Sequence, residues 1–178
     1  ATSSFRLIRD RLRRHRIYTV GRGSWRRSAG PNFVATVRHR VSSEERTEPE
    51  RNVFGDPLEP CSTDPATGYL RDGRCRDVDG DVGEHTLCAV VTAEFLTDSR
   101  DRGNDLITPQ PAFDFPGLTP GDRWCLCVGR WLEAVDAGVA PPVVLEATNE
   151  SVLEAVDADR LREHAFDPET FEPGTLDA

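Results

Sequence analysis

TLCAVVTAEFLTDSRDRG, residues 86–103, contains the two local signals from which the fold can be derived. Its first six residues are apolar or β-branched, and a short run of this kind predicts a buried strand. Thr92 is a typical helix N-cap, and Phe95 and Leu96 supply apolar contacts for the helix that follows. Gly103 follows, and glycine is the residue most often found just past the end of a helix. The stretch therefore predicts a strand followed directly by a helix.

The same order of signals recurs after a long loop. DRWCLCV, residues 122–128, predicts a second strand, in which Cys125 and Cys127 share one face because side chains alternate along a strand. RWLEAVDAG predicts a helix that ends at Gly138. The intervening loop, residues 104–121, is longer than loops in compact domains usually are, so it is a candidate functional segment.

Three further elements are predicted near the end of the chain. PPVVLEAT, residues 141–148, favours a strand, and VLEAV, residues 152–156, favours its hairpin partner. Asp157 is the expected cap of a final helix. These elements predict the α+β class: a small two-layer sandwich with a sheet of about four to five short strands and helices on one face. We expect the domain to span residues 52–167, with an acidic tail at 168–178.

Arginine supplies every basic residue of the 178-residue chain, and its distribution divides the sequence. Residues 1–51 hold 13 arginines and 5 acidic residues, whereas residues 52–178 hold 9 arginines and 26 acidic residues. The first segment is expected to be an Arg-rich extension, disordered or only partly ordered, and only this segment suits nucleic acid. The domain itself is a poor nucleic-acid binder because its charge repels phosphates.

No stretch approaches the roughly 18 apolar residues of a membrane span. The first twenty residues carry six arginines and no apolar core of the kind found in secretory signals. We therefore expect no membrane span and a cytoplasmic location. The sequence does not identify a small-molecule or protein partner.

Five cysteines raise the question of their chemistry. An odd number without a secretory signal argues against a disulfide framework and favours free thiols, a metal site or a reactive cysteine. Cys125 and Cys127 on one strand face are candidate metal ligands, with zinc as the candidate cofactor. The candidates that would complete the site are Cys88, Cys61 and His85. Buried free cysteine is also common in cores, and core packing is the simpler explanation.

Two groups of polar residues are also candidate ligand sites. Asp77, Asp79 and Asp81 have the spacing of a calcium loop, but glycine and glutamate are missing at its two demanding positions, so a solvated acidic turn is favoured. A second set sits at loop ends and could bind a small ligand or serve as ordinary caps and ion pairs. Its members are Asp72, Asn104, Asp105, Asp122, Arg123 and Glu146.

Five segments carry a resemblance to a known family. They are NVFGDPLEPCSTDPATGYLRDGRC, DVGEHTLCAVVTAEFL, RGNDLITP, FPGLTPGDRWCLC and AGVAPPVVLEAT. In this order they resemble the uncharacterised family called domain of unknown function 2237, known from bacteria and plants. The resemblance covers most of residues 52–167 and implies a small α+β two-layer fold without an assigned activity. All five cysteines fall within family-type motifs, whereas VDGD, residues 78–81, departs from the usual Gly-Pro-Glu-Asp type of turn.

Three functions remain open from the sequence. The first is a binding module with a cysteine-lined thiol or metal site, in which Cys88, Cys125 and Cys127 face a pocket roofed by the long loop. The second is a small hydrolase-like or lyase-like enzyme, whose candidate catalytic residues are Asp105, Arg123, Glu146 and Cys61 as nucleophile. The third is an interaction protein with no catalytic site. Nucleophile elbows, P-loops, dinucleotide fingerprints and HExxH motifs are all missing, so the sequence does not decide whether the protein is an enzyme.

Overall fold

The computed structural model describes residues 49–176, so nearly all of the predicted Arg-rich extension lies outside the described residues. Within 49–176 the chain forms two β-strands and three α-helices. In chain order these are β1 (Leu87–Val90), α1 (Ala93–Asp101), β2 (Arg123–Leu126), α2 (Val128–Ala137) and α3 (Ala158–Glu163). Three short 3-10 helices lie at Pro111–Phe113, Leu145–Ala147 and Glu150–Glu154.

Strands β1 and β2 pair antiparallel, with Cys88 opposite Cys125. Side chains alternate along β1, so Leu87 and Ala89 join the main hydrophobic core while Cys88 and Val90 join a second, cysteine-rich cluster. Both faces of β1 are buried, which explains why its four residues, LCAV, are all apolar.

The α+β class is confirmed, but the sheet of the described region has two strands, so the prediction of four to five is wrong. The predicted strand at 141–148 is reduced to isolated bridges at Val143. Its two prolines have no N–H group to donate to a ladder. In addition, the hydroxyl of Thr148 accepts the N–H of Cys88 at 3.1 Å, in the place that a strand carbonyl would take.

The predicted hairpin partner at 152–156 is also not a strand. This stretch lies largely in the 3-10 helix Glu150–Glu154, which begins where the side chain of Asn149 accepts the N–H of Ser151 at 3.1 Å. Helix α3 begins directly after Asp157, where a helix was expected, although the Asp157 side chain makes no capping hydrogen bond.

Both longer helices follow their local signals. The hydroxyl of Thr92 accepts the N–H of Phe95 at 3.2 Å and starts α1, and Gly103 lies just past its end with φ 84°. Helix α2 ends at Gly138, which adopts φ 77°, as predicted. Trp131 anchors α2 in the core, fully buried. Among the described residues, no helix is long and apolar enough to span a membrane.

The segment predicted as an acidic tail lies along the domain as far as it is described. The ring of Phe171 packs edge-on against Phe166, with ring centres 5.2 Å apart. The carbonyl of Pro173 accepts the N–H of Ala93, at the start of α1, at 2.9 Å. Phe171 packs against the cysteine-rich cluster and Leu176 against the main core, so the described part of this segment contacts both.

Candidate functional site

Four of the five cysteines form two disulfides, so the expectation of free thiols is wrong for these four. Cys61 bonds to Cys88, with Cα atoms 5.7 Å apart, and Cys75 bonds to Cys125, with Cα atoms 5.3 Å apart. Each bond joins the glycine- and proline-rich loop before β1 to one strand of the sheet. Two covalent links thus hold a loop that has little regular structure of its own. The odd number of cysteines did not reveal that four of them are paired.

The disulfides change what the candidate metal ligands can do. The sulfur atoms of Cys61, Cys75 and Cys125 lie within 4.8 Å of one another in the core. Because a metal binds thiolate and a disulfide sulfur is not one, this cluster offers no thiolate in the oxidised state. Cys61 is likewise unable to act as the candidate nucleophile while it is bonded to Cys88.

Cys127 is the one cysteine left as a thiol. The prediction that it shares a strand face with Cys125 is wrong, because β2 ends at Leu126 and Cys127 is the N-cap of α2. The N–H groups of a helix's first turn have no partners inside the helix and favour negative charge. Its side chain is partly buried. The fold therefore places a single thiol at a helix N-terminus.

His85 contacts this thiol directly. Its Nε2 lies 3.0 Å from Sγ of Cys127. A backbone hydrogen bond holds the loop against the helix, because the carbonyl of Glu84 accepts the N–H of Val128 at 3.3 Å. Glu84 itself adopts a left-handed φ of 51°. The segment just before β1 thus presents an imidazole to the first turn of α2.

Asp81 orients the imidazole from its other side. Its Oδ1 lies 2.7 Å from Nδ1 of His85, and its Oδ2 accepts the backbone N–H of the same histidine at 2.8 Å. Oδ1 also accepts the N–H of Gly83 at 3.1 Å. The Asp81 side chain is only 3% exposed, so the favoured solvated turn is wrong for this aspartate. It is a buried carboxylate with three hydrogen bonds.

Gly83 leaves room for the contact between histidine and thiol. A Cβ at this position would lie 2.7 Å from Cε1 of His85 and 3.0 Å from Sγ of Cys127. Real Cβ atoms almost never approach that closely, so a larger residue would have to push the two groups. The motif Asp-Val-Gly-Glu-His, residues 81–85, thus supplies the carboxylate, the imidazole and the space between them.

The charge on the imidazole follows from these contacts. The hydrogen bond to Cys127, and after it the one to Asp81, raise the pKa of His85 to about 9, against an opposing effect of burial. His85 consequently carries its proton at neutral pH. The arrangement places a positive imidazole between a sulfur atom and a carboxylate.

A cavity of about 360 Å³ opens beside His85. Half of its lining comes from the long loop between α1 and β2, and Arg71 and Trp124 contribute to its wall. The lining residues are Gly68, Tyr69, Arg71, His85, Asn104, Asp105, Leu106, Gln110, Phe113, Phe115, Trp124 and Cys125. Neither Cys88 nor Cys127 is among them, so of the three cysteines predicted to face a pocket, Cys125 alone lines this cavity.

The predicted polar set is only partly brought together. Asn104 and Asp105 line the cavity, and hydrogen bonds from Thr108, followed by Ile107, lower the pKa of Asp105. Arg123 instead lies over the ring of Phe166, 5.7 Å from its centre.

The other members serve local structure or face solvent. Asp122 accepts the N–H and the hydroxyl of Thr119 within its own turn, and Asp72 pairs with Arg76. Glu146 is exposed and does not line the cavity that holds Asp105. The carboxylate and arginine cleft predicted from Asp105, Arg123 and Glu146 therefore does not form around this cavity.

Residues 51–165 match the model of a family described as uncharacterised proteins conserved in bacteria, domain of unknown function 2237. The chain belongs to this family. The resemblance found in the sequence motifs is confirmed, and the matched range of this family member contains Asp81, His85, Cys127 and both disulfides. No curated protein matches the chain. The family's description assigns no activity.

Sequence reasoning found two members of the contact trio and missed the third. His85 and Cys127 were candidates as metal ligands, whereas Asp81 was assigned to a solvated turn. A local signal for Asp81 exists, since aspartate readily accepts hydrogen bonds from backbone N–H groups two residues ahead. Nothing local indicates that the histidine four residues later faces a thiol from a distant helix.

Proposed function

We propose that the protein is an enzyme with Cys127 as nucleophile, His85 as acid and base, and Asp81 as the positioning residue. The supporting observation is the 3.0 Å contact between Sγ of Cys127 and Nε2 of His85, backed by the 2.7 Å contact from Nδ1 to Asp81. Nucleophile, base and orienting carboxylate in hydrogen-bond sequence are what covalent catalysis by cysteine needs.

The form of the pair that reacts is a thiolate beside an imidazolium. His85 keeps its proton at neutral pH because its pKa is raised to about 9, first by Cys127 and then by Asp81. The thiolate is the nucleophilic form of cysteine, and the first turn of α2 favours its negative charge. Asp81 accepts from Nδ1–H and so directs the Nε2–H bond toward sulfur.

The reaction that suits this arrangement is acyl transfer or hydrolysis. The thiolate attacks a carbonyl carbon, the bond to the leaving group breaks, and Nε2–H of His85 protonates that group. A thioester of Cys127 and a neutral imidazole result. Neutral His85 then takes a proton from water, whose oxygen attacks the thioester; the acid leaves, and thiolate and imidazolium are restored. The buried carboxylate of Asp81 stabilises the imidazolium in each half-reaction.

Trapping the covalent intermediate tests this proposal. A panel of p-nitrophenyl esters and thioesters is incubated with the full chain, and intact-mass and peptide-mass spectrometry locate any adduct. We expect one acyl group per chain on Cys127, turnover that C127S abolishes, and a rate lower by roughly 10²–10⁴-fold in H85N. Equal turnover by C127S and wild type, or acylation elsewhere in the chain, contradicts the proposal.

A further inference from the structure

We infer that the cavity beside His85 takes an anionic acyl compound with an aromatic ring, its anionic group held by Arg71. This inference rests on the proposed function, because Cys127 does not itself line the cavity and the reacting carbonyl must extend to it from the wall at His85, whose Nε2 lies 3.0 Å from the sulfur. It specifies the substrate class, which is a small molecule in which a carboxylate or phosphate group is attached to a flat apolar group.

Arg71 is fixed on the cavity wall. Its guanidinium carbon lies 4.9 Å from the centre of the Trp124 ring, over the ring face. One terminal nitrogen donates to the carbonyl of Ala66 at 3.1 Å. The backbone of Arg71 is left-handed, with φ 56°, in a loop closed by the Cys75–Cys125 disulfide. A stacked and tethered guanidinium loses little freedom when it binds a ligand.

Among the described residues, Arg71 differs from the paired arginines in having no neighbouring acid. In the range 49–176, no carboxylate lies within 4.0 Å of it, whereas Arg76 pairs with Glu50 and Asp72, and Arg102 pairs with Asp98. A guanidinium has five N–H donors in a planar fork, and most of those of Arg71 remain for a ligand. His85 adds a second positive charge to the cavity wall.

Asp105 is the carboxylate that also lines the cavity. Its Oδ1 accepts the N–H groups of Ile107 and Thr108, at 2.9 and 3.0 Å. This carboxylate therefore shapes the long loop. It is not within ion-pair distance of Arg71.

Aromatic side chains supply the rest of the recognition surface. Trp124 packs against Phe115 with ring centres 5.3 Å apart, and Tyr69 lies 6.5 Å from the ring of His85. Phe113 is 72% exposed at the cavity edge. Ring faces of this kind favour a flat apolar ligand. The volume of about 360 Å³ suits a small molecule and falls at the small end of ligand pockets.

Two alkylating reagents of nearly equal size test the preference for anions. Iodoacetate is negatively charged and iodoacetamide is neutral, and both report on the same thiol. We expect the ratio of the iodoacetate rate to the iodoacetamide rate to exceed that of a cysteine peptide, and R71Q to lower this ratio about fivefold. R102Q is the matched control, because Arg102 pairs with Asp98 on α1, and it should leave both rates unchanged. An unchanged ratio in R71Q overturns the inference.

A binding measurement separates this inference from the proposed function. In C127S, which has no thiol to react, we expect phenylacetate to shift the NMR signal of the Trp124 indole and phenylacetamide to bind at least fivefold more weakly, with R71Q removing the difference. A phenyl phosphate arm distinguishes phosphate from carboxylate recognition. Equal binding of phenylacetate and phenylacetamide overturns the inference. A thiol that reacts as an ordinary cysteine contradicts the proposed function alone.

Discussion

The imidazole Nε2 of His85 lies 3.0 Å from Sγ of Cys127, although the two residues are 42 positions apart in the chain. The histidine precedes β1, and the cysteine follows the antiparallel strand β2. Pairing of these strands, with Leu87 opposite Leu126, therefore brings the flanking positions together at the same end of the sheet. The sheet is small, but its register determines the distance between the two groups.

The pKa values of the two described histidines are expected to be shifted in opposite directions. His85 should lose its proton near pH 9, because Cys127 and then Asp81 raise its pKa, whereas burial lowers the pKa of His164 below 6.5. Histidine-labelled NMR measures both in one sample, with His164 as the internal control. C127A should lower the pKa of His85, since the sulfur contact is the largest cause of the increase. A value near 6.5 in the wild type contradicts this assignment.

The same shift predicts how stability depends on pH. Folded His85 keeps its proton up to about pH 9, whereas an unfolded histidine loses it near 6.5. The folded state thus binds the proton more tightly, so this contribution is fully present below pH 6.5 and is lost as the pH rises through 9. Urea unfolding of wild type and H85N should show a difference that shrinks across this window. A difference that grows with pH contradicts the sign.

Removing the carboxylate of Asp81 should weaken the thiol site without removing the thiol. D81N loses the charged acceptor of His85 Nδ1, so we expect a lower pKa for His85 and alkylation of Cys127 at pH 6 that is slower by about tenfold. D79N is the matched control, because Asp79 is an exposed aspartate of the same turn. Iodoacetamide kinetics measure both variants. Equal rates for D81N and D79N show that Asp81 does not position the imidazole.

A methyl group at position 83 should separate the histidine from the thiol. In G83A the new Cβ would lie 2.7 Å from Cε1 of His85, and overpacking of this kind costs roughly 1–3 kcal/mol in the free energy of unfolding. We expect slower alkylation of Cys127 at pH 6 as well. G129A is the control, since a Cβ at Gly129 meets nothing within 4 Å. Chemical unfolding and iodoacetamide kinetics check both variants, and identical behaviour contradicts the prediction.

Both disulfides should contribute strongly to stability. They close segments of 27 and 50 residues, and loop closure of this length stabilises a fold by about 3–5 kcal/mol each in the chain-entropy model. C75S/C125S should lower the free energy of unfolding by that amount in urea titrations. Thiol titration gives an independent check: one thiol per chain in the native protein, still one after unfolding, and five after reduction. More than one thiol in the native protein contradicts the pairing.

Local sequence signals were sufficient for the helices and the first strand. Thr92, Gly103 and Gly138 act on their own neighbours, so the boundaries they imply agree with the structure. Residues 141–148 have the composition of a strand, but their prolines cannot donate to a ladder. The number of strands was therefore overestimated from composition alone.

The site depended on contacts between distant segments, and these were out of reach of local patterns. The sequence identified Cys127 and His85 as chemically capable, but four cysteines were assigned to the wrong oxidation state. Disulfide partners are set by how a loop folds over the sheet, and a cysteine count does not carry that information. Asp81 was missed for a different reason: the acidic composition of its stretch favours a solvated turn, whereas its side chain is 3% exposed and accepts hydrogen bonds from Gly83 and His85.

The pH dependence of Cys127 alkylation tests the central claim most directly, because the native chain has a single thiol. An ordinary cysteine, with a pKa near 8.5, reacts roughly 80-fold more slowly at pH 6 than at pH 8. If the Cys127–His85 pair holds one proton and that proton resides on His85, iodoacetamide should react with wild type at pH 6 at a rate within about fivefold of the rate at pH 8. H85N should restore the pH dependence of an ordinary cysteine. A wild-type rate that falls as steeply as that of a cysteine peptide contradicts the account.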